Sequence, residues 1–200
     1  MDVRYRPGRK HDCRELAELI SLSSGGVVDY LYHDVFPGRS PVRIITKTLE
    51  DNVYPLTYKN AIVAGHGIGI AGMALSFPSS FHGINPVLAS RLPPAQLDHM
   101  QDFYRARVEG SWYVDALGVY GRFRGRGIGK SLMELTEKRA IEAGYRVVSL
   151  IVFADNTPAI NLYLSLGFQV VRHVDLAENE FIRHTGGCLL LSHGLNRRAF

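Results

Sequence analysis

A glycine-rich turn joins the clearest strand pattern of the chain to its clearest helix pattern. Residues 111–119 read as a strand, and residues 127–143 repeat apolar side chains at helical spacing. Between them, residues 122–131 carry three glycines and four cations. A strand, a glycine turn and a helix N-terminus leave backbone N–H groups directed outward, where the helix dipole favours negative charge. The segment therefore predicts an anion-binding site, although a solvated basic turn has the same composition.

A second glycine-rich stretch, residues 67–72, matches the G-x-G-x-x-G pattern of dinucleotide sites. Pro78 follows too soon for a helix, and no acidic residue stands at the distance needed to bind a ribose. Residues 61–77 are also uncharged and just long enough to span a membrane, but their glycines disfavour a helix. We therefore interpret the stretch as the turn of a buried hairpin.

The other hydrophobic patterns alternate between strands and helices. We predict strands over 3–6, 61–64, 70–76, 111–119, 146–153, 168–173 and 188–192, and helices over 13–20, 96–108, 127–143 and 158–166. Residues 78–94 read as a loop, and residues 27–58 give only short helical patterns. Because no repeat or linker interrupts this order, residues 1–200 are predicted to form a single mixed α/β domain.

The composition excludes several classes of protein. The 200 residues are 46% hydrophobic, which excludes a disordered chain, and the net charge of +4 is too small to imply non-specific nucleic-acid binding. With only two cysteines, Cys13 and Cys188, the sequence argues against a disulfide scaffold, and no four-ligand set has zinc spacing. The first residues lack the apolar core of an export signal, so we expect a cytoplasmic protein that holds no metal.

Two motifs carry a resemblance to a known family. Residues 124–129 read Arg-Gly-Arg-Gly-Ile-Gly, and residues 156–168 read Asn-Thr-Pro-Ala-Ile-Asn-Leu-Tyr-Leu-Ser-Leu-Gly-Phe. They resemble the Arg/Gln-x-x-Gly-x-Gly/Ala and Asn-x-x-Ala-x-x-Leu-Tyr-x-x-x-Gly-Phe segments of the GNAT superfamily of acetyl-CoA-dependent N-acetyltransferases. The likeness is dense over residues 111–173. It implies an α/β (α+β) fold with a mixed, mostly antiparallel sheet of about seven strands, flanked by helices, in which strands four and five splay apart.

The resemblance also implies acetyl-CoA as a co-substrate, bound where strands four and five separate. The pyrophosphate would lie on the amides of the glycine turn, the fourth strand would pair with pantetheine, and an N–H near Val119 would polarise the thioester carbonyl. Asn156 would hydrogen-bond the pantetheine arm, although capping a helix is an equal role for it. The implied binding residues are Leu117, Gly118, Val119, Arg124, Gly125, Arg126, Gly127, Ile128, Gly129, Lys130 and Asn156.

Tyr163 and Asp115 are the catalytic residues that the resemblance implies. A tyrosine at this place often protonates the departing thiolate in the family, and a phenol with a pKa of about 10 suits that role. The alternative for Tyr163 is a core aromatic. Asp115 would remove a proton from the amine, bind a cationic acceptor or pair with an arginine, and His66 and His82 are further candidates for the base. Since neither cysteine lies in a basic pocket, we expect direct transfer without a covalent enzyme intermediate.

The expected function is therefore transfer of acetyl from acetyl-CoA to a primary amine. A non-catalytic acyl-CoA-binding or sensing domain is the alternative, and an RNA-binding module is disfavoured because no aromatic platform accompanies the arginines. We expect no nucleic-acid or membrane partner, and a homodimer is one expected assembly because dimers are common in the family. Residues 27–58 and 78–110 should select the acceptor, and Asp29 or Asp34 would meet its charge unless their segment is a core helix.

Overall fold

The computed structural model describes residues 3–33, 35–36, 38–84 and 86–195, so Asp34 lies outside the described residues. Within them, one sheet contains β1 (Arg4–Pro7), β2 (Ala61–His66), β3 (Gly69–Pro78), β4 (Trp112–Val119), β5 (Val147–Phe153), β6 (Gln169–Val174) and β7 (Cys188–Gly194). The strand order is β1-β2-β3-β4-β5-β7-β6, and each neighbouring pair is antiparallel except β4 and β5, which run parallel. The predicted fold class, a mixed and mostly antiparallel sheet, is confirmed.

Helices cover both faces of this sheet. They are α1 (Cys13–Ser23), α2 (Val27–Tyr32), α3 (Pro41–Glu50), α4 (Pro86–Ala89), α5 (Pro94–His99), α6 (Gln101–Arg105), α7 (Ile128–Glu142) and α8 (Thr157–Ser165). On one face, Leu16 of α1 and Leu49 of α3 pack with Met73 of β3. On the other, Leu132 of α7 packs with Ala74 of β3. None of the helices in the described part of the chain is long and apolar enough to cross a membrane.

The sheet opens between β4 and β5. Their parallel ladder pairs only residues 112–114 with residues 148–150, and beyond it the strands separate, as the family resemblance implied. On the other side of β4, Leu75 pairs with Ala116 and Ser76 with Val114, so Asp115 has no partner on β3. This is a β-bulge, which bends a strand and redirects the side chain of the extra residue. The gap and the bulge therefore begin at the same residue.

The predicted hairpin is confirmed, since β2 and β3 are joined by a turn in which Gly67 has φ +59°. The single helix predicted over 96–108 is wrong. It divides into α5 and α6 at Met100, a fully buried residue whose backbone, with φ −90° and ψ 0°, leaves the helical conformation. Helix α3 was not recognised in the sequence, although Ser40 caps it by accepting from the Arg43 N–H. Residues 78–94, predicted as a loop, contain the short helix α4.

The turn between α1 and α2 closes against the segment that joins β6 to β7. Gly26 has φ +96°, and a Cβ atom there would overlap the carbonyl group of Phe181. Glycine is required because the two backbones touch and because the conformation is left-handed. From the other direction, Arg172 of β6 forms two hydrogen bonds of 3.0 and 2.8 Å with Asp102 of α6. These contacts gather α2, α6 and the β6–β7 segment near the gap in the sheet.

Candidate active site

A cleft of about 930 Å³ opens where β4 and β5 separate. Its walls come from α7 and α8 on one face of the sheet and from α1, α2, α3 and α6 on the other. Of the residues predicted from the sequence for cofactor binding or catalysis, all line this cleft except Arg126, which is exposed on the turn outside it, and the alternative base His66. The two faces of the sheet are therefore connected through the gap.

One end of the cleft has the features of an anion site. Gly125 and Gly127 have φ +72° and +77°, and a Cβ atom at either position would meet nothing within 4 Å. Gly127 is the N-cap of α7 and offers no side chain to the first N–H groups, and no acid lies in the first turn. The first amides of this 15-residue helix therefore stay available to a ligand, as predicted for an uncapped N-terminus. Lys130 adds a largely exposed ammonium group to the same wall.

The edge of β4 offers a second set of backbone groups. The N–H of Tyr120 donates to the carbonyl oxygen of Ala71 on β3, at 3.0 Å. Because successive peptide groups of a strand point to opposite sides, the N–H groups of Leu117 and Val119 point into the gap. The guanidinium of Arg124 donates to the Val119 carbonyl oxygen at 3.0 Å, which fixes the glycine turn to the end of the strand. The gap thus exposes an unpaired strand edge inside the sheet.

Asn156 and Tyr163 lie at either end of the α8 segment that lines the cleft. The Asn156 side-chain oxygen accepts from the Ala159 N–H at 3.3 Å, so this residue caps α8. Tyr163 is buried, and burial raises its pKa above the ordinary value of 10. The Tyr163 hydroxyl makes no hydrogen bond to any of the residues that the structure describes. It is therefore a protonated phenol at neutral pH with a free donor.

Asp115 lines the cleft at the bulge. Its side chain is accessible from the cleft, yet protein surrounds it, and this desolvation raises the pKa of the carboxyl to about 7. Desolvation raises the pKa of Tyr32, Tyr104 and Tyr113, and the charge of Asp115 raises each further, which places the three phenols near this carboxyl. Within the described ranges no ion pair or hydrogen bond reaches Asp115, so the suggested pairing with an arginine is not found.

Of the two histidines predicted as further candidates for the base, one lines the cleft and the other does not. His82 lines the cleft, but its Nε2 donates to the Phe103 carbonyl oxygen at 3.1 Å, and desolvation lowers its pKa to about 4. His66 is not among the lining residues. His184, which the sequence did not suggest as a catalytic residue, lines the cleft with its Nδ1 atom 2.7 Å from the Asp155 carboxylate. No local pattern could have found this pair, since 29 positions separate its members.

The cysteines are both free and buried. Desolvation raises the pKa of Cys13 to about 11 and that of Cys188 to about 12, so both are thiols at neutral pH. Cys188 lines the cleft, but a protonated thiol is a weak nucleophile. Nowhere in the described chain do three or more histidine, cysteine, aspartate or glutamate side chains meet in a group that could hold a metal ion.

Solved structures share this architecture. An N-acetyltransferase from Staphylococcus aureus Mu50 matches with a TM-score of 0.69 at 18% identity, over 95% of this chain and 100% of that one. The PaiA N-acetyltransferase from Thermoplasma acidophilum, solved in complex with coenzyme A, matches with a TM-score of 0.59 at 14% identity, over 97% and 99% of the two chains. Likenesses at this identity show the fold.

Among the curated relatives, mycothiol acetyltransferase of Corynebacterium jeikeium (strain K411) is 43% identical over 53 residues, which are 26% of this chain and 15% of that protein. The chain spans less than half the length of the curated relatives it matches, between 15% and 48%. The model of the acetyltransferase (GNAT) family matches residues 62–168, which include the glycine turn and most of the cleft. Because that match covers more than half of the chain, the protein belongs to the GNAT acetyltransferase family.

Proposed function

We propose that the protein transfers the acetyl group of acetyl-CoA to a primary amine by direct attack of the amine nitrogen on the thioester carbonyl. One observation carries the proposal: a single cleft joins an uncapped helix N-terminus, an unpaired strand edge, a phenol with a free donor and an unpaired carboxylate. These four groups suit, in that order, a pyrophosphate, a pantetheine arm, a thiolate and an ammonium group.

The glycine turn would hold the pyrophosphate. The amides of residues 125–130 supply hydrogen-bond donors, and Lys130 and Arg124 supply positive charge. Arg126 would reach the phosphates from the exposed side of the turn. The N–H and carbonyl groups of residues 117–119 would hold pantetheine in the manner of an added strand, and Asn156 would contact the same arm through the atoms that its capping bond leaves free.

The Val119 N–H points into the gap and would hold the thioester oxygen as negative charge develops on it. A donor placed in this way is typically worth about 3–4 kcal/mol of the activation barrier. The backbone amide is fixed by the β3–β4 ladder and by the Arg124 contact with the same residue, so little reorganisation is needed when the charge forms.

Asp115 would accept a proton from the amine, and Tyr163 would donate one to the departing thiolate. The ionised Asp115 carboxylate takes one proton from the ammonium group, directly or through water, and the free amine attacks the carbonyl carbon. A base with a pKa near 7 is matched to neutral pH. As the carbon–sulfur bond breaks, Tyr163 gives its proton to the thiolate and recovers one from the new amide nitrogen through water. The net reaction yields the acetamide and CoA thiol and releases one proton through Asp115.

Isothermal titration calorimetry with acetyl-CoA, followed by amine-dependent release of the CoA thiol, tests this function. We expect micromolar binding that Lys130→Gln weakens about 3- to 10-fold, since a charge-assisted hydrogen bond at an exposed site contributes about 1 kcal/mol. Arg122→Gln is the matched control, because Arg122 does not line the cleft and its guanidinium lies over the rings of Tyr120 and Phe123.

Absence of acetyl-CoA binding by the wild-type protein would overturn the proposal. Binding without thiol release across arylalkylamines, polyamines, aminoglycosides and lysine peptides would favour the non-catalytic acyl-CoA-binding alternative. Selection of the acceptor by residues 27–58 and 78–110, a homodimer and a cytoplasmic location stay predictions of the sequence.

A further inference from the structure

One part of the exposed lining of the cleft, at its mouth, is apolar. Within the described residues nine large hydrophobic side chains are exposed, and four of them, Leu22, Val53, Tyr54 and Phe81, line this one cleft. They come from the end of α1, from the segment after α3 and from the segment after β3. Exposed apolar side chains that gather at a concave site, rather than scatter singly, mark a surface that is covered when a ligand binds.

Two of these side chains form an aromatic pair. The rings of Tyr54 and Phe81 meet edge to face, with centroids 4.6 Å apart and planes at 78°. Their exposed fractions are 46% and 49%, so each ring keeps nearly half of its surface open. Both rings belong to the stretches 27–58 and 78–110, which the sequence assigned to acceptor selection. The pair therefore offers an aromatic wall at the mouth.

The positively and negatively charged side chains that line the cleft lie in different parts of it. Its lining cations, Arg124 and Lys130, lie at the glycine turn, whereas Asp115 is the single carboxylate among the described lining residues. Two of the three phenols near this carboxylate are Tyr32 and Tyr104, each from a helix on the face of the sheet opposite α7. A desolvated carboxylate without a partner is costly, and an ammonium group beside aromatic rings would relieve that cost through ion pairing and cation–π attraction.

This arrangement separates the classes of amine that the sequence left open. A polyamine or an aminoglycoside carries several positive charges, and a single carboxylate pairs with only one of them. A lysine side chain on a protein surface would bring polar backbone against the apolar mouth. A compact amine with one charge and an apolar ring satisfies both the carboxylate and the aromatic wall.

We propose that the acceptor is a small primary amine with one positive charge and an aromatic body, its ammonium group against Asp115 and its ring against Tyr54 and Phe81. This inference rests on the proposed acetyl transfer, because Asp115 is the proposed base of that reaction. The same carboxylate thus binds the charged amine and then takes its proton.

Steady-state kinetics with acetyl-CoA and matched amines test the inference. We expect kcat/KM for 2-phenylethylamine to exceed that for ethylamine by about 30-fold, since the difference is the burial of one ring. It should also exceed the values for spermidine, kanamycin and a lysine-containing peptide. Tyr54→Ser and Phe81→Ser should each raise KM for 2-phenylethylamine about 5-fold and leave KM for ethylamine and for acetyl-CoA unchanged. Tyr5→Ser, at a partly exposed tyrosine of β1 outside the cleft, is the control.

Titration of 2-phenylethylamine into protein saturated with CoA repeats the comparison without turnover, and Asp115→Asn should weaken this binding about 10-fold. Faster acetylation of spermidine, kanamycin or the peptide would overturn the inference and leave the transferase function standing. A preference for 2-phenylethylamine over ethylamine that persists in both Tyr54→Ser and Phe81→Ser would also overturn the inference. Failure of the wild-type protein to bind acetyl-CoA would overturn the function and the inference together.

Discussion

Replacing the Asp115 carboxyl with an amide should stabilise the folded protein above pH 7 while it slows acetyl transfer. In the unfolded chain this carboxyl ionises near the ordinary pKa of 3.8, whereas desolvation at the cleft raises the pKa in the folded protein to about 7. Between these two values the folded protein keeps a proton that the unfolded chain has lost. The free energy of unfolding therefore falls as the pH rises through this range, and Asp115→Asn removes that fall.

The size of the effect follows from the shift. One pKa unit corresponds to about 1.36 kcal/mol, so a rise from 3.8 to about 7 sets an upper limit of about 4 kcal/mol. Because the cleft admits water to the carboxylate, solvent screening lowers this figure, and we expect about 1–2 kcal/mol at pH 8. For a chain of this length that gain raises the melting temperature by about 2–8 °C.

Urea unfolding of the wild-type protein and of Asp115→Asn at several values between pH 5 and pH 8.5 measures the difference. The advantage of the variant should grow with pH and level off above about pH 8. Asp98→Asn, at an exposed position of α5 outside the cleft, should show no such trend. A variant that is no more stable than the wild type at pH 8, or an advantage independent of pH, would refute a desolvated Asp115. In turnover, the variant should lose about 100-fold or more in kcat.

Two further substitutions test the proposed chemistry and the closure of the cleft. Tyr163→Phe should lower kcat about 100-fold with unchanged affinity for acetyl-CoA, whereas Tyr145→Phe outside the cleft should change neither kcat nor affinity. Equal kcat values for the two variants in steady-state assays would argue against a proton donor at Tyr163. Gly25→Ala should cost about 2–4 kcal/mol in urea unfolding, because φ is +57° and the new Cβ would overlap the Phe153 ring and lie 2.7 Å from the His184 ring. Gly144→Ala, with φ +89° and open space around it, should cost only about 1–2 kcal/mol, and equal losses would show that crowding at position 25 is unimportant.

Much of the fold was predictable because its signals are local. The seven strands, the hairpin around Gly67 and the long helix after Gly127 follow from hydrophobic spacing and from glycines at turns. The division of one predicted helix at Met100, a fully buried residue, has no local signal in the sequence. Helix α3 was within reach, since Ser40 followed by Pro41 is an ordinary helix start.

The candidate site shows the same division between local and distant information. The glycine turn, Asn156 and Tyr163 belong to motifs within single segments, whereas Asp115 and residues 117–119 were expected from the place of the preceding strand in the family resemblance. The uncapped start of α7 follows from the immediate succession of a strand, a glycine turn and a helix along the chain.

The tertiary structure decided which of these residues share a cleft and what surrounds them. The bulge at Asp115 depends on the register of β4 against β3, and its raised pKa depends on protein that folds over it from α2 and α6. The aromatic pair of Tyr54 and Phe81 joins two segments that no periodicity connects. A sequence encodes local conformation through neighbouring residues, whereas desolvation and ring contacts arise only when distant segments pack together. The sequence by itself therefore determined the fold class and the anion-binding turn, and packing decided the carboxylate environment and the apolar mouth.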